Sequence, residues 1–431
     1  MSNITLIFSL LFALIIIILI TGRYHRAVAA LLGALLTIVF AVEYNLFTQS
    51  GILGEIVGFI DINTVLLVIG IMILAEAVSR SGFFEFIGLS IAKTVGGGTR
   101  RISLALILLT VLFSAILSNI TTMIIIGALT ISLAKKFQFD PTNIIIYEIL
   151  MTNVGGLALL ISSIPNLILA GQLHINFTEF LVVSLPLTLI LSGISMLYFS
   201  RKTKKELGEE PPVEVDVNPW SAVENRSLFY RAAIVFIIVI VLFVFEANLN
   251  IPIGLIAMGG AITVLVVGGQ EPESIFSGID WATVFFLASF YVVVGGLQAS
   301  GVITSFADGI VNVLSSNQSI TPVLNVWVSG VPSAIIDNIP MTLTLIPVMQ
   351  QVTAVTGYPL RILGWAIVFG ANLGGNLTPI GSASNIIGLG ILRKQGKIIG
   401  WSEWLRRVGT FALLLLAIAT LYVLLLTVIT L

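Results

Sequence analysis

Two short polar stretches interrupt long apolar runs of this chain, and their residue types are those that hold ions. The first is Ser118-Asn119-Ile120-Thr121-Thr122; the second is Asp337-Asn338-Ile339-Pro340-Met341-Thr342. Polar groups at membrane depth are costly without partners, and irregular backbone there is tolerated only against protein or a water-filled cavity. If each stretch is the tip of a hairpin, its hydroxyl and amide oxygens are hard ligands for a cation. The helix N-termini freed at the turn can bind an anion. Helix–helix glue by Ser, Thr and Asn is the plainer role for one such stretch; two of them in matching positions favour ligand binding. Asp337 is the only carboxylate at either tip, and a carboxylate at that depth reads as a coupling-ion ligand or a proton carrier. Glu76 and Glu148 fall nearer the ends of apolar runs, where they can reach water. Asp61 and Asp280 stand just before such runs, as helix caps do. No Lys or Arg falls inside the apolar runs, so an anion is expected to be held by dipoles, amides and cations rather than by a basic side chain.

A second pair of features belongs with the tips. Residues 143–173 would make a helix of about 46 Å at ~1.5 Å per residue, too long for one straight crossing. The run Ile161-Ser162-Ser163-Ile164-Pro165-Asn166 supplies a break, because proline cannot donate to the helical ladder and serines compete for its backbone. Thr378-Pro379-Ile380-Gly381-Ser382-Ala383-Ser384-Asn385 makes the same case within 362–392. Paired Gly/Pro-interrupted segments in two halves of a chain mark the midplane site of a transporter. The candidate binding residues are therefore Ser118, Asn119, Thr121, Thr122, Ser162, Ser163, Asn166, Asp337, Asn338, Thr342, Thr378, Ser382, Ser384 and Asn385. The pairs Gly155-Gly156 and Gly374-Gly375 would let hairpins and broken helices approach closely, or simply pack.

The elements that must position these residues follow from composition. Of 431 residues, 57% are hydrophobic and 10% charged, too few charges to cover a soluble protein of this size. Runs such as 3–21, 229–245 and 408–430 are long enough to cross a ~30 Å hydrocarbon core. They are continuously apolar rather than alternating, which argues against a barrel. The fold class is therefore an all-α polytopic membrane protein. With no cysteine, thiolate and disulfide chemistry is excluded; His25 and His174 lie at helix ends and read as structural. The N-terminal run lacks a basic leader and is too long for the core of a signal peptide.

The halves are repeats. At an offset of 219, Ser114-Ala115-Ile116-Leu117-Ser118-Asn119-Ile120 lies on Ser333-Ala334-Ile335-Ile336-Asp337-Asn338-Ile339, with five of seven positions identical. The same offset carries Asp61, Thr64, Ser81, Gly82, Asn153, Gly155, Gly156, Asn166 and Gly171 onto identical residues. Before residue 61 the offset becomes 226. We read residues 1–200 and 227–431 as two membrane repeats joined by a cytoplasmic linker, 201–226, which contains Glu209, Glu210, Pro211 and Pro212. Each repeat holds five crossings (3–21, 27–43, 62–79, 143–173, 177–199; then 229–246, 250–267, 281–299, 362–392, 408–430). Each adds a re-entrant hairpin (101–136; 320–354) and a short interfacial helix (83–95; 302–315). An odd number of crossings inverts the second copy. With both termini outside, 19 of the 20 basic residues fall inside and only Arg361 outside, as the positive-inside rule requires.

These motifs resemble the ion transporter superfamily over essentially the whole chain. That superfamily includes divalent-anion/sodium symporters, citrate carriers, NhaD-type sodium/proton antiporters, ArsB-type arsenite permeases and the melanosomal P protein. Ser118-Asn119-Ile120-Thr121 is similar to its Ser-Asn-x-Thr hairpin tip. The stretch 370–381, GANLGGNLTPIG, and Ser81-Gly82-Phe83-Phe84-Glu85 most resemble the arsenite-permease and P-protein branch. The P-protein-like pattern has an acidic residue where Ser118 stands, and an acidic, proline-rich break where Ser162-Ser163-Ile164-Pro165 stands. The resemblance implies an ion-coupled secondary transporter of a small inorganic or organic anion or oxyacid, working by an elevator-like movement, and commonly a homodimer. It implies coupling Na+ or H+ and no resident cofactor, with sodium held at Ser118, Asn119, Asp337 and Asn338. Some arsenite permeases add a cytoplasmic ATPase subunit.

Two other readings stay open from the sequence. One is a sodium-coupled sulfate or dicarboxylate symporter or a sodium/proton antiporter of the same superfamily; the other is an ion channel, although no filter motif is present. Neither HExxH nor GxSxG occurs, nor a Walker-type phosphate loop, so an enzyme or a primary pump is not expected. The partners expected are the lipid bilayer and a small solute in the cell (inner) membrane, with no nucleic acid.

Overall fold

A computed structural model describes residues 3–47, 51–96, 98–207, 218–314 and 320–430. The described residues are helical, with no strand among them. The first half runs α1 (Asn3–Thr21), α2 (Arg26–Glu43), α3 (Ile52–Phe59), α4 (Ile62–Arg80), α5 (Phe83–Val95), α6 (Thr99–Ser114), α7 (Asn119–Phe137), α8 (Thr142–Gly155), α9 (Ile164–Leu173) and α10 (Phe177–Leu207). The second runs α11 (Arg226–Val244), α12 (Glu246–Leu249), α13 (Ile253–Gly268), α14 (Pro272–Ser277), α15 (Trp281–Ala299), α16 (Val302–Leu314), α17 (Thr321–Ser333), α18 (Asn338–Thr356), α19 (Leu360–Gly374), α20 (Ala383–Lys394), α21 (Trp401–Trp404) and α22 (Thr410–Thr430). A π-helical turn at Leu405–Gly409 joins the last two.

Nine helical spans among the described residues are long and apolar enough to cross a membrane. They include α7 and α18, the second arms of the two hairpins, whose lengths alone would permit full crossings. Among the short helices that the structure adds where the sequence reading left loop, two occupy matching places. These are α3 and α14, which precede α4 and α15 at equivalent places. It also carries α10 to Leu207, seven residues into the stretch read as linker. Glu209, Glu210, Pro211 and Pro212 lie outside the described residues. The end of the linker is a short 3₁₀ turn, Pro219–Ala222, packed against α5 through Trp220, whose ring lies 4.5 Å from that of Phe86.

Both long segments are broken where the proline and serine runs stand. α8 stops at Gly155 and α9 starts at Ile164; α19 stops at Gly374 and α20 starts at Ala383. Proline at the second position of α9 costs no hydrogen bond, since the first helical N–H groups have no intrahelical partner. The two breaks match in detail. Ser163 has φ −147° and ψ 151°, and Ser382 has φ −146° and ψ 150°.

The halves interlock rather than sit side by side. Helix α4 packs on α13 of the other half, and α15 on α2. The hairpin arms cross over in the same way, α18 onto α9 and α7 onto α20. Within each half the first hairpin arm lies against the helix before the break, α6 on α8 and α17 on α19. Small residues allow this. A Cβ on Gly374 would lie 2.0 Å from the Gly330 carbonyl oxygen in α17, and one on Gly155 would lie 2.6 Å from that of Val111 in α6. Gly156 faces the Asn119 amide at the tip, whereas Gly375 faces the break of its own segment. The close-approach reading of the glycine pairs therefore holds for three of the four.

Gly374→Ala should lower stability by roughly 1–3 kcal/mol, the usual cost of overpacking. A fall in the thermal unfolding temperature of the detergent-solubilised protein checks this, and a substitution at Gly390, where an added Cβ meets nothing within 4 Å, should leave it unchanged.

Candidate functional site

Four helix N-termini converge on one cavity of about 290 Å³. Ser118 caps α7, Ser163 precedes α9, Asp337 caps α18 and Ser382 precedes α20. All four line the cavity. They form two pairs at the repeat offset, so the tips and the breaks meet at a single place. Each N-terminus contributes unpaired N–H groups and about half a positive charge, which suits an anion.

The backbone of each break is held by one asparagine. Asn166 Nδ2 donates to the carbonyls of Gly156 (2.9 Å) and Leu159 (2.8 Å). Asn385 Nδ2 donates to the equivalent carbonyls of Gly375 (2.7 Å) and Thr378 (2.8 Å). Carbonyls orphaned by a helix break inside a membrane protein need such donors wherever they are buried in protein. Each tip is tied to the helix before the break by a matching bond. Asn119 Nδ2 donates to Asn153 Oδ1 (3.1 Å), and Asn338 Nδ2 to Asn372 Oδ1 (3.2 Å). Ser114 and Ser333, one step earlier on the hairpins, donate to the carbonyls of Thr152 and Ala371. The two halves are joined through the same residues. Asn153 Nδ2 donates to Asn376 Oδ1 at 2.7 Å, Asn372 Nδ2 to Asn166 Oδ1 at 3.2 Å, and Ser382 Oγ to Asn153 Oδ1 at 3.0 Å.

Of the candidate residues, Ser118, Asn119, Thr121, Ser162, Ser163, Asp337, Asn338 and Ser382 line the cavity. The hydroxyl of Ser163 is buried and has no hydrogen-bond partner, so it is available to a ligand. The other six stand behind the lining. Thr122 is buried in α7; Thr342 bonds the Asn338 carbonyl of its own helix; Thr378 bonds the Ala334 carbonyl; Ser384 bonds Ser382. Asn166 and Asn385 commit their Nδ2 groups to the breaks they hold, and Asn166 Oδ1 accepts from Asn372 of the other half. Asn153, Asn372 and Asn376 were visible only as repeat matches or within a motif, yet they carry the network that joins the halves.

Two expectations do not hold, one for the lining of the cavity and one for Glu148. A basic side chain does line the cavity: Arg26, the first residue of α2. Its Nη1 lies 2.8 Å from Asp337 Oδ2, and its Nη2 lies 3.2 Å from Asp280 Oδ2 and 2.5 Å from Thr283 Oγ1. The guanidinium carbon sits 5.9 Å from the centre of the Phe286 ring. By its place before the second apolar run Arg26 reads as a cytoplasmic-end charge, and nothing in its local sequence shows that the long side chain turns back toward a hairpin tip. Asp61 and Asp280 do cap α4 and α15 through Thr64 and Thr283, as expected. Asp280 has the added role of holding Arg26. Glu76 lines the cavity while paired with Arg80 at 2.6 Å. Glu148 does not reach water: it is completely buried in α8 and accepts a bond from Thr130 of α7 at 2.5 Å. The pull of the apolar pattern placed it near a segment end, but the packing of α7 over α8 encloses it.

Asn385→Asp keeps the shape of the side chain and removes the donor to two buried carbonyls. It should cost roughly 1–3 kcal/mol for each carbonyl left unpaired. Thermal unfolding in detergent should show the loss, and Asn166→Asp should show a comparable one.

Comparison with known proteins accords with this architecture. The CitMHS family model, described as a citrate transporter, matches residues 15–370 and 240–431. An uncharacterized transporter of Mycobacterium tuberculosis is 30% identical over 93% of this chain and 94% of its own length. The P protein of Homo sapiens is 26% identical over 89% of this chain and 55% of its own length. Among solved structures, the YdaH transporter of Alcanivorax borkumensis superposes with a TM-score of 0.67 at 14% identity, covering 93% of this chain and 98% of that one. MtrF of Neisseria gonorrhoeae gives 0.60 at 11% identity, covering 98% and 95%. At such identities these two structures speak for the fold alone. With a family model spanning nearly all of its length and nine apolar helices among its described residues, the chain belongs to the CitMHS citrate transporter family of the ion transporter superfamily and is a multi-pass membrane transporter.

Proposed function

We propose that the protein is an ion-coupled secondary carrier of a small anion, bound where the two hairpin tips and the two helix breaks meet. The observation that carries this reading is the set of four helix N-termini and one guanidinium around a single cavity. Partial positive charges and a planar cation suit a carboxylate or an inorganic oxyanion. Citrate, named in the family description, is the first substrate to try, and sulfate, succinate and arsenite follow. Asp337 is the group through which Na+ or H+ is coupled, with Ser118, Asn119 and Asn338 as the other oxygen donors at the tips. A sodium-coupled symporter of sulfate or a dicarboxylate is the second reading, favoured by those same oxygens.

An alternating mechanism finds support in one departure from the repeat symmetry. In the first half, Asp61 and Thr64 press against Gly171 of α9: a Cβ there would lie 2.1 Å from Asp61 Oδ2. The equivalent of Gly171 is Gly390 in α20, and a Cβ there would meet nothing within 4 Å. Asp280 and Thr283 instead face Arg26. One end of the molecule is thus closed and the other parted. Exchange of the two arrangements would open the opposite end, with hairpins and broken helices moving as a unit against α2, α4, α13 and α15. In this reading the parted end, lined by Glu76, Ser79, Gly278 and Asp280, is cytoplasmic, both termini are outside, and the linker is inside. The ion pairs fit this orientation: Arg80 with Glu76, Lys397 with Asp140 and Arg407 with Glu403 join residues assigned inside, and Arg361 with Glu179 joins residues assigned outside.

Uptake into proteoliposomes should be saturable in one of these anions and driven by a Na+ or H+ gradient, with Asp337→Asn reducing concentrative uptake at least about tenfold. Undiminished flux in that variant would remove Asp337 from coupling. Single-channel steps, or flux linear in solute, would replace the carrier with a pore. The absence of native cysteine allows a direct test of the alternation. Thr283→Cys with Gly390→Cys should crosslink only in the opposite state, so no crosslink under any gradient or ligand would sink the exchange.

A further inference from the structure

We infer that Arg26 is the anion-binding side chain of the cavity, and that in the empty protein the Asp337 carboxylate occupies it as a tethered stand-in for the substrate. This rests on the anion-carrier reading above and deepens it.

The partners of Arg26 divide into two groups. Asp280, Thr283 and Phe286 all belong to the start of α15, and together they fix one edge and one face of the guanidinium. Thr283 Oγ1 in turn donates to Asp280 Oδ2 at 2.5 Å, so this half of the arrangement is braced. The fourth partner comes from elsewhere. Asp337 belongs to the tip of the α17–α18 hairpin and meets only Nη1, through one oxygen, at 2.8 Å. A guanidinium edge accommodates a carboxylate or sulfate through two parallel bonds, so a single-oxygen contact leaves part of that capacity unused. The other charged group of the lining, Glu76, belongs to α4 and is engaged by Arg80 rather than Arg26. Asp337 is therefore the one carboxylate of the cavity that touches Arg26 without being braced beside it.

The position is also asymmetric. At the offset of 226 that applies before residue 61, Arg26 corresponds to Pro252, and the counterpart of Asp337 is Ser118. The cation comes from the first half and its exchangeable partner from the second, and the symmetry-equivalent pairing, Pro252 with Ser118, carries no charge. Arg26 keeps Asp280 as a fixed countercharge, whereas Arg26 is the cation that Asp337 meets at the tip, so Asp337 is the partner that a ligand can replace. A solute anion that displaces Asp337 takes over Nη1, keeps the charge balance of Arg26, and detaches the tip from α2 and α15. A resident competitor lowers the apparent affinity by the fraction of time that the site is free.

The test measures binding of citrate and of sulfate to the purified protein in detergent by titration calorimetry, with each variant first shown to be folded by its elution profile and unfolding temperature. Asp337→Asn removes the competitor and should tighten binding by on the order of tenfold, although the same substitution is expected to stop coupled uptake. Glu76→Gln removes an equal charge from the same cavity without touching Arg26, and should change affinity far less. Arg26→Gln should abolish binding. Arg26→Lys, which keeps the charge and loses the planar fork, should weaken it by roughly threefold to tenfold and serves if the glutamine variant does not fold. Wild-type affinity in Arg26→Gln or Arg26→Lys overturns the assignment of Arg26. Equal tightening in Asp337→Asn and Glu76→Gln, or none in Asp337→Asn, overturns the exchange and leaves the anion carrier standing. If neither citrate nor sulfate binds the wild-type protein, the anion reading fails at these probes and the exchange falls with it.

Discussion

The constraint on which this structure depends is the need to satisfy backbone carbonyls where two helices are broken inside a membrane protein. A break frees carbonyl and amide groups from the helical ladder, and each one buried without a partner costs on the order of kilocalories per mole. Asn166 and Asn385 answer it with two bonds each, to carbonyls that correspond residue for residue. Once the breaks are affordable in this sense, the N-termini of α9 and α20 can point into a cavity instead of continuing a ladder. The tips then dock on the preceding helices through Asn119 and Asn338, and the cavity acquires its four N-termini.

The same asparagines hold the halves together. Asn153, Asn376, Asn372 and Asn166 bond across the repeat boundary, so neither break is completed by its own half alone. The interlocking of α4 with α13 and of α15 with α2 gives the outer layer the same dependence. A fold of this kind concentrates its polar bonds at the place where a ligand would sit. Elsewhere, helix packing rests on small residues such as Gly70 of α4, which meets the Ala257 backbone of α13.

Much of this was legible in the sequence because it depends on backbone-breaking residues and on repetition. Pro165, Gly381 and the paired serines announce the breaks, and one gap-free offset aligns them; the apolar runs announce the helices. What could not be read depends on side-chain reach across the fold. Arg26 sits at a segment end by position, and only the structure carries its guanidinium to Asp337. Glu148 sits near a segment end too, and only the cover of α7 buries it. Six of the candidate residues stand behind the lining, because sequence cannot say which side of a turn faces space. The short helices α3 and α14 escaped because their runs are brief, and helix periodicity needs several turns to register.

The separation of Asp337 and Arg26 between two different elements has an electrical meaning. In the proposed cycle the hairpin carries its carboxylate away from a guanidinium that stays with α2, so the step displaces net charge along the membrane normal. Such a displacement is worth about 2.3 kcal/mol per elementary charge for each 100 mV it crosses. The resting potential of the cell then acts on the moving hairpin itself, over and above any force on the solute or coupling ion.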